Sequence, residues 1–407
     1  MVPCCRSCEH PKLQPILSLG STPLANSLLT ESELYLPEQT YPLDLAFCEN
    51  CSLVQITEVV PPEKLFSEYL YFSSFSETMV THARDLSKQL IESRGLAPTS
   101  LVIEIASNDG YLLQHYKEAG IPVLGIEPAA NIATVAIERG INTINDFFGE
   151  SLARRLNDDK QFADVIHAHN VMAHVADLNG FMHGINLVLK NDGVAVIEVP
   201  YVRDMIEGVE FDTIYHEHLC YFSLSSVASL VKRHSMQVTD VERVPIHGGT
   251  LRIFIQKQGH ESVSSRVSEM LATEMTLGMD RLEYYSNFAT RVEKLKAELI
   301  DLLASLKREG NRIAVYGASA KGSTLLNYFG LGKDQLDYVV DRSTVKQGRY
   351  TPGTHLLIDS PERLLADQPD YVLLLTWNFA DEILTQQSEY RGKGGRFIIP
   401  IPTLRVV

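Results

Sequence analysis

Two stretches of this chain alternate apolar strands with helical segments, and that alternation restricts the possible fold more than any other feature. In the first stretch, strands read at 101–105, 122–126, 164–168 and 193–199, with helical segments such as 111–119 and 129–139 between them. In the second, strands read at 312–316, 337–341, 371–375 and 396–400. Strands joined through helices pair in parallel and bury both faces under those helices, so each stretch predicts a doubly wound α/β domain. Between them lie a mixed segment, 204–258, and a polar helical run from 262 to about 309 that reads as a connecting helix pair.

The cysteines define a third region. Five of the six fall in the first 51 residues, four of them in the pairs Cys5-Arg-Ser-Cys8 and Cys48-Glu-Asn-Cys51. A two-residue gap turns both thiolates of a pair toward one ion, and two such pairs complete a closed, structural Cys4 zinc site. Cys4 competes with Cys5, but Cys5 alone keeps the gap to Cys8. Redox or unliganded cysteine is the other reading. The 39 residues between the pairs exceed the usual ribbon spacing, so a small subdomain has to fill them. The expected division is a zinc module over 1–65, an α/β domain over 66–258, and a helical connector with a second, Rossmann-like α/β domain over 259–407.

Each α/β stretch carries a strand–turn–helix with ligand-binding character. Glu104-Ile-Ala-Ser107-Asn108-Asp109-Gly110 has a single glycine and acids in and before the turn, which repel phosphate and suit a cation. S-adenosylmethionine has no phosphate and carries a sulfonium and an ammonium. The turn therefore reads as a methyltransferase site, although a strand–turn–helix that binds nothing has the same outline. Glu127, at the end of the next strand, is placed to accept both ribose hydroxyls. Asp146 and Phe147 offer an acceptor and an apolar wall for adenine, and Asn170 a lining residue. The second turn, Tyr316-Gly317-Ala-Ser319-Ala-Lys321-Gly322, has two glycines, hydroxyls and a lysine and no acid, which suits a phosphate or pyrophosphate. Asp341 follows about 20 residues later, where a carboxylate meets a ribose in dinucleotide sites. Alone this would indicate an NAD-dependent oxidoreductase; beside a methyltransferase turn, a nucleotide-linked substrate fits better.

Tyr215-His216-Glu217-His218 is the densest titratable group in the sequence. Imidazole moves protons near neutral pH, and an adjacent carboxylate can orient it. Methylation at carbon requires removal of a proton alpha to a carbonyl, so a base is needed beside the cofactor. The alternative is a surface loop of hydrogen-bonding residues. Lys and Arg number 36 against 51 Asp and Glu, a net charge of −15 that excludes the basic surface of a general nucleic-acid binder. No apolar run approaches the roughly 18 residues that span a bilayer, and Met1-Val-Pro-Cys-Cys-Arg has no signal-peptide core. A cytoplasmic monomer acting on a small molecule is the expectation.

Taken together, these motifs resemble the zinc-containing, S-adenosylmethionine-dependent C-methyltransferases of nucleotide-linked deoxysugars. The likeness covers essentially the whole chain. It includes both cysteine pairs, Gly20-Ser-Thr-Pro-Leu-Ala-Asn26, the Glu104–Gly110 turn, Tyr215-His-Glu-His218, His247-Gly-Gly-Thr-Leu-Arg252, Tyr316-Gly-Ala-Ser-Ala-Lys-Gly322 with Leu325-Leu-Asn-Tyr328, and Thr376-Trp-Asn378. It implies zinc on Cys5, Cys8, Cys48 and Cys51, and S-adenosylmethionine at the first turn and Glu127. It implies a dTDP- or GDP-linked 4-keto-6-deoxyhexose held by His247, Arg252, Gly317, Ser319, Lys321, Asp341 and Asn378. His218 would take the C-3′ proton, with Tyr215 and Glu217 positioning substrate and base. Tyr71 would add a hydroxyl, or Tyr69 if the motif is displaced. Methylation at C-5′ is the variant outcome within the family. Ser319 and Ser323 stand where proline and asparagine are expected, and both touch the nucleotide loop.

Overall fold

The computed structural model describes residues 4–61, 64–65, 72–75, 77–246, 248–259 and 262–407. Its central sheet contains the first predicted stretch. The strands run in the order Met236–Val244, Thr250–Lys257, Leu189–Pro200, Ala163–His169, Val102–Ile105, Val123–Ile126, Thr143–Ile144. Val102–Ile105 is buried at every position, as a parallel strand covered on both faces should be. The mixed segment 204–258 supplies a hairpin that completes this sheet, with Thr250–Lys257 antiparallel to both of its neighbours. The remaining pairings are parallel, so their turns gather at one carboxyl edge, where ligands bind in such sheets.

The spacer between the cysteine pairs forms the antiparallel strands Gln14–Pro23 and Thr40–Phe47. Val54–Ile56 adds to them, and the sheet ends on Cys220–Tyr221, contributed by the chain just after His218. The N-terminal module and the segment bearing the candidate base thus share one sheet.

The second stretch forms a sheet in the order Ile358–Asp359, Val339–Val340, Ile313–Tyr316, Tyr371–Leu374, Arg396–Ile399, Arg405–Val406, parallel except at the last pairing. The connector consists of helices Ser265–Leu277, Leu282–Tyr285 and Phe288–Arg308. Tyr285 packs its ring 4.9 Å from that of Phe47, and Phe211 stacks on Phe329 at 5.0 Å. One apolar core consequently runs from the cysteine pairs through the central sheet to the C-terminal sheet. Among the described residues, no helix is long and apolar enough to cross a membrane.

Candidate active site

The four paired cysteines converge. Cys5 and Cys51 sulfurs lie 3.5 Å apart, Cys8 and Cys48 sulfurs 3.6 Å, and all four within 4.8 Å of one another. Tetrahedral zinc with bonds of about 2.3 Å places its sulfurs about 3.8 Å apart, so the cluster fits that ion. Both knuckles close alike. Glu9 and Ser52 adopt φ of 60° and 59°, and their amides return to the Cys5 and Cys48 carbonyls at 2.9 and 2.8 Å. Cys4 is exposed and stands outside the cluster.

At the carboxyl edge of the central sheet, the first turn winds through left-handed backbone at Ala106, Asn108 and Gly110 (φ 51°, 49° and 79°). A Cβ on Gly110 would lie 2.7 Å from Ile141 Cγ1, so this position requires glycine. Glu127 braces the turn, accepting from the Asn108 and Ala129 amides at 2.9 and 2.8 Å. Glu104 Oε2, Ser107 Oγ and Asp109 Oδ1 are buried without a hydrogen-bond partner among the described residues. Burial, reinforced by Glu127 and Asp109, holds Glu104 well above the usual carboxylate range, and burial also raises Glu127. Orphaned acceptors and crowded carboxyls fit a ligand carrying positive charge and hydroxyl donors, as S-adenosylmethionine does, and would repel a pyrophosphate.

A cavity of about 700 Å³ opens beside this turn, lined by Asn108, Glu127, Phe147, Asn170, Tyr215 and His218 among others. Asp146 is not among the cavity-lining residues and pairs with Arg155. Tyr71 and His247 lie outside the described residues.

The base loop divides between two environments. Tyr215 and His218 line the cavity, with ring centroids 4.1 Å apart. His218 Nδ1 lies 3.0 Å from the Thr213 carbonyl, which only accepts, so Nδ1 carries the proton. Nε2 of the neutral ring then accepts from the Tyr215 hydroxyl at 2.8 Å. Both partners of this hydrogen bond belong to residues that line the cavity, where a neutral imidazole can serve as a general base. His216 and Glu217 point the other way. His216 Nε2 donates to the Pro42 carbonyl at 3.1 Å, and Glu217 Oε1 accepts from Asn26 Nδ2 at 2.7 Å. Burial pushes Glu217 up to about 7.

Lys321, Ser319 and Asn378 line the same cavity from the C-terminal side. The Lys321 ammonium lies 4.5 Å from the centre of the Trp377 ring and has no hydrogen-bond partner among the described residues. Ser319 caps helix Ala320–Phe329, accepting from the Gly322 amide at 3.1 Å. Gly317 (φ 101°) lets this turn approach the next one, since a Cβ there would sit 2.6 Å from Thr376 Cγ2. Asp341 lies behind the turn, where its carboxylate takes the Ala318 and Ser343 amides at 2.8 Å each. Arg252 is buried within the central sheet, 2.7 Å from Glu198 and 3.1 Å from Glu242, and is not among the cavity-lining residues.

Three family models match the chain in succession: "Putative zinc binding domain" over residues 5–66, "Methyltransferase domain" over 79–241 and "C-methyltransferase C-terminal domain" over 245–402. The chain is also 37% identical to C-methyltransferase NovU of Streptomyces niveus over 405 residues, which are 99% of this chain and 96% of that protein. The chain belongs to this C-methyltransferase family. It is an S-adenosylmethionine-dependent enzyme with a zinc module at its N-terminal end. Among solved structures, it is similar to an S-adenosylmethionine-dependent methyltransferase of Clostridium acetobutylicum (TM-score 0.37, 11% identity, 44% of this chain and 92% of that one). It is also similar to the PH0226 protein of Pyrococcus horikoshii (TM-score 0.38, 14% identity, 49% and 100%).

In this C-methyltransferase several site residues escape motif reading. His174 lines the cavity, its ring 4.8 Å from that of His218, and burial holds it down to about 4, so it stays neutral. Glu210 and Asp212 face Lys321 from the central domain, and Trp377 Nε1 donates to Asp212 at 2.7 Å. Glu198, fully buried, gathers His82, His169 and Arg252, each within 3.0 Å. Burial works to raise Glu198, but His169 and His82 pull it well below the usual range. Nothing local marks these residues; the third histidine in the run from His167 to His174 was the available hint.

Proposed function

We propose that this enzyme transfers a methyl group to C-3′ of a nucleotide-linked 4-keto-6-deoxyhexose, with dTDP or GDP as the nucleotide, in branched deoxysugar biosynthesis. The observation that carries the reading is one shared cavity: the His218 ring, with Nδ1 on the Thr213 carbonyl and Nε2 on the Tyr215 hydroxyl, lines it together with Asn108 of the first turn and Lys321, whose ammonium has no hydrogen-bond partner among the described residues. The ketone acidifies the neighbouring C-3′ proton, which brings it within reach of an imidazole base. The imidazolium that forms keeps its Nδ1–H on the Thr213 carbonyl, which stabilises the charge without moving the ring. The Tyr215 hydroxyl, released from Nε2 as that nitrogen takes the substrate proton, can donate to the enolate oxygen. S-adenosylmethionine, held by the Ser107–Gly110 turn and Glu127, supplies the electrophilic methyl group when bound.

Lys321 offers positive charge on the nucleotide side. Burial drives Glu210 up to about 8, so near neutral pH this acid leaves the Lys321 charge largely available; burial also raises Asp212. Ser319 and Asn378 would supply hydrogen bonds to the same ligand, with Gly317 and Asp341 shaping the turn and Arg252 bracing the hairpin against the central sheet. The enzyme would act as a cytoplasmic monomer without nucleic-acid or membrane partners. Incubation with S-adenosylmethionine and a dTDP- or GDP-4-keto-6-deoxyhexose, followed by mass spectrometry, tests the proposal. A nucleotide sugar heavier by one methylene group is expected. No product with either series would defeat the proposal.

A further inference from the structure

The motif Gly20-Ser-Thr-Pro-Leu-Ala-Asn26 supplies none of the clustered cysteines and none of the cavity lining, yet it ends against the base loop. Strand Gln14–Pro23 leads into a turn in which the Ser27 amide returns to Leu24 and the Leu28 amide to Asn26. Leu29 then pairs with Tyr350 of the C-terminal domain through two hydrogen bonds of 2.9 and 2.8 Å. Asn26 is therefore fixed on both sides, and its Nδ2 donates to Glu217 Oε1 at 2.7 Å across 191 residues of sequence. Asn26 is open to solvent, whereas Glu217 is only 4% exposed.

The rest of the loop is gripped by the same module. His216 reaches the Tyr41 and Pro42 carbonyls at 3.3 and 3.1 Å, the Ile56 amide donates to the Leu219 carbonyl at 3.0 Å, and Cys220–Tyr221 completes the module's sheet. Held from behind in this way, the loop presents Tyr215 and His218 to the cavity.

We propose that Asn26 is a positioning residue for the reaction: its carboxamide holds the Glu217 side chain and so fixes the Tyr215–His218 loop, making the zinc module part of what aims the base. The inference rests on the assignment of His218 as base. It requires no contact between Asn26 and substrate. Small displacements of a reacting group are costly, so a support of this kind acts on turnover more than on cofactor affinity. The other groups facing Glu217 are Lys346, whose charge favours the carboxylate, and His174, which hydrogen-bonds to the Glu217 backbone; His216 and His218 flank it in the chain.

Asn26→Asp keeps the size of the side chain and replaces a donor with an acceptor; Asn26→Ala removes the group. Both are expected to fold cooperatively and to keep wild-type zinc content and S-adenosylmethionine affinity. In Asn26→Ala, kcat should fall about tenfold, the scale of a hydrogen bond to a charged group. The acid limb of its pH profile should move to higher pH, because the Glu217 carboxylate loses a donor. In Asn26→Asp the loss should be deepest above neutral pH, where two carboxylates oppose each other, and should ease as one of them gains a proton. Wild-type kcat and pH profile in both variants would overturn the proposal. The 15N shifts of the His218 ring, measured without substrate, give a readout that does not depend on the sugar. They should move in Asn26→Asp, and unchanged shifts would also overturn the proposal. If the wild-type enzyme methylates no 4-keto sugar, the substrate reading fails by itself, and the ring shifts still decide the role of Asn26.

Discussion

Replacing Glu210 with glutamine should stabilise the protein increasingly as pH rises. Glu210 is 8% exposed, and Gly208 and Gly248 press on it so closely that a Cβ on Gly248 would lie 2.8 Å from Oε2. Burial first, and then Asp212 and Asp204, push its carboxyl up to about 8, while Lys321 opposes them. In the unfolded chain it titrates near the ordinary value of 4.5. The folded state therefore keeps a proton that the unfolded state has lost. This contribution is fully present below about pH 4.5 and disappears as pH rises through about 8. At about 1.4 kcal/mol per unit, a gap of roughly 3.5 units corresponds to at most about 5 kcal/mol, and about 3–5 is a reasonable range. Glutamine does not titrate, so Glu210→Gln should gain that amount on the wild type between about pH 5 and about pH 9. For a chain of this length that is about 4–6 °C in melting temperature if unfolding is cooperative. Paired calorimetric scans across the range measure it. A constant difference between variant and wild type would refute the claim that Glu210 is held protonated.

Other perturbations have equally definite outcomes. Glu127→Ala removes the carboxylate that braces the Asn108 and Ala129 amides, and calorimetric titration should show S-adenosylmethionine bound at least about tenfold more weakly with zinc content unchanged. Chelation of the metal should lower melting temperature and turnover together, because the module's sheet includes Cys220–Tyr221 beside the base loop. Glu198→Ala should cost about 3–5 kcal/mol in denaturant unfolding near neutral pH, since Arg252, His169 and His82 lose their shared carboxylate. Because Glu198 is held below its usual range, that penalty should shrink as pH falls below the ordinary carboxylate value.

Much of this architecture could be read directly because its signals are local. Val102–Ile105 and Ile313–Tyr316 are short apolar runs followed by turn residues, and two cysteine pairs with the right gap identify their own ion. Tyr215 and His218 lie three residues apart on one loop, so their meeting needed no tertiary information. The hairpin of Met236–Val244 and Thr250–Lys257 was harder to see, because it carries charge inward. Arg252 lies opposite both Glu198 and Glu242 through strand register, which no local pattern reveals. Cys220–Tyr221 is too short to leave any periodicity. Asp212 and Trp377 are 165 residues apart and meet because two domains dock. The motif ending at Asn26 was visible, but its partner Glu217 was not, since that contact depends on how the zinc module sits against the central sheet.

The central claim is that this C-methyltransferase makes its nucleophile by removing a carbon-bound proton with His218. The most direct test incubates enzyme and 4-keto nucleotide sugar in deuterated water without S-adenosylmethionine and follows the C-3′ proton by NMR. The account predicts that the wild type exchanges this proton for deuterium and that His218→Ala, folded and with its zinc bound, does not. Exchange at the wild-type rate in His218→Ala would contradict it.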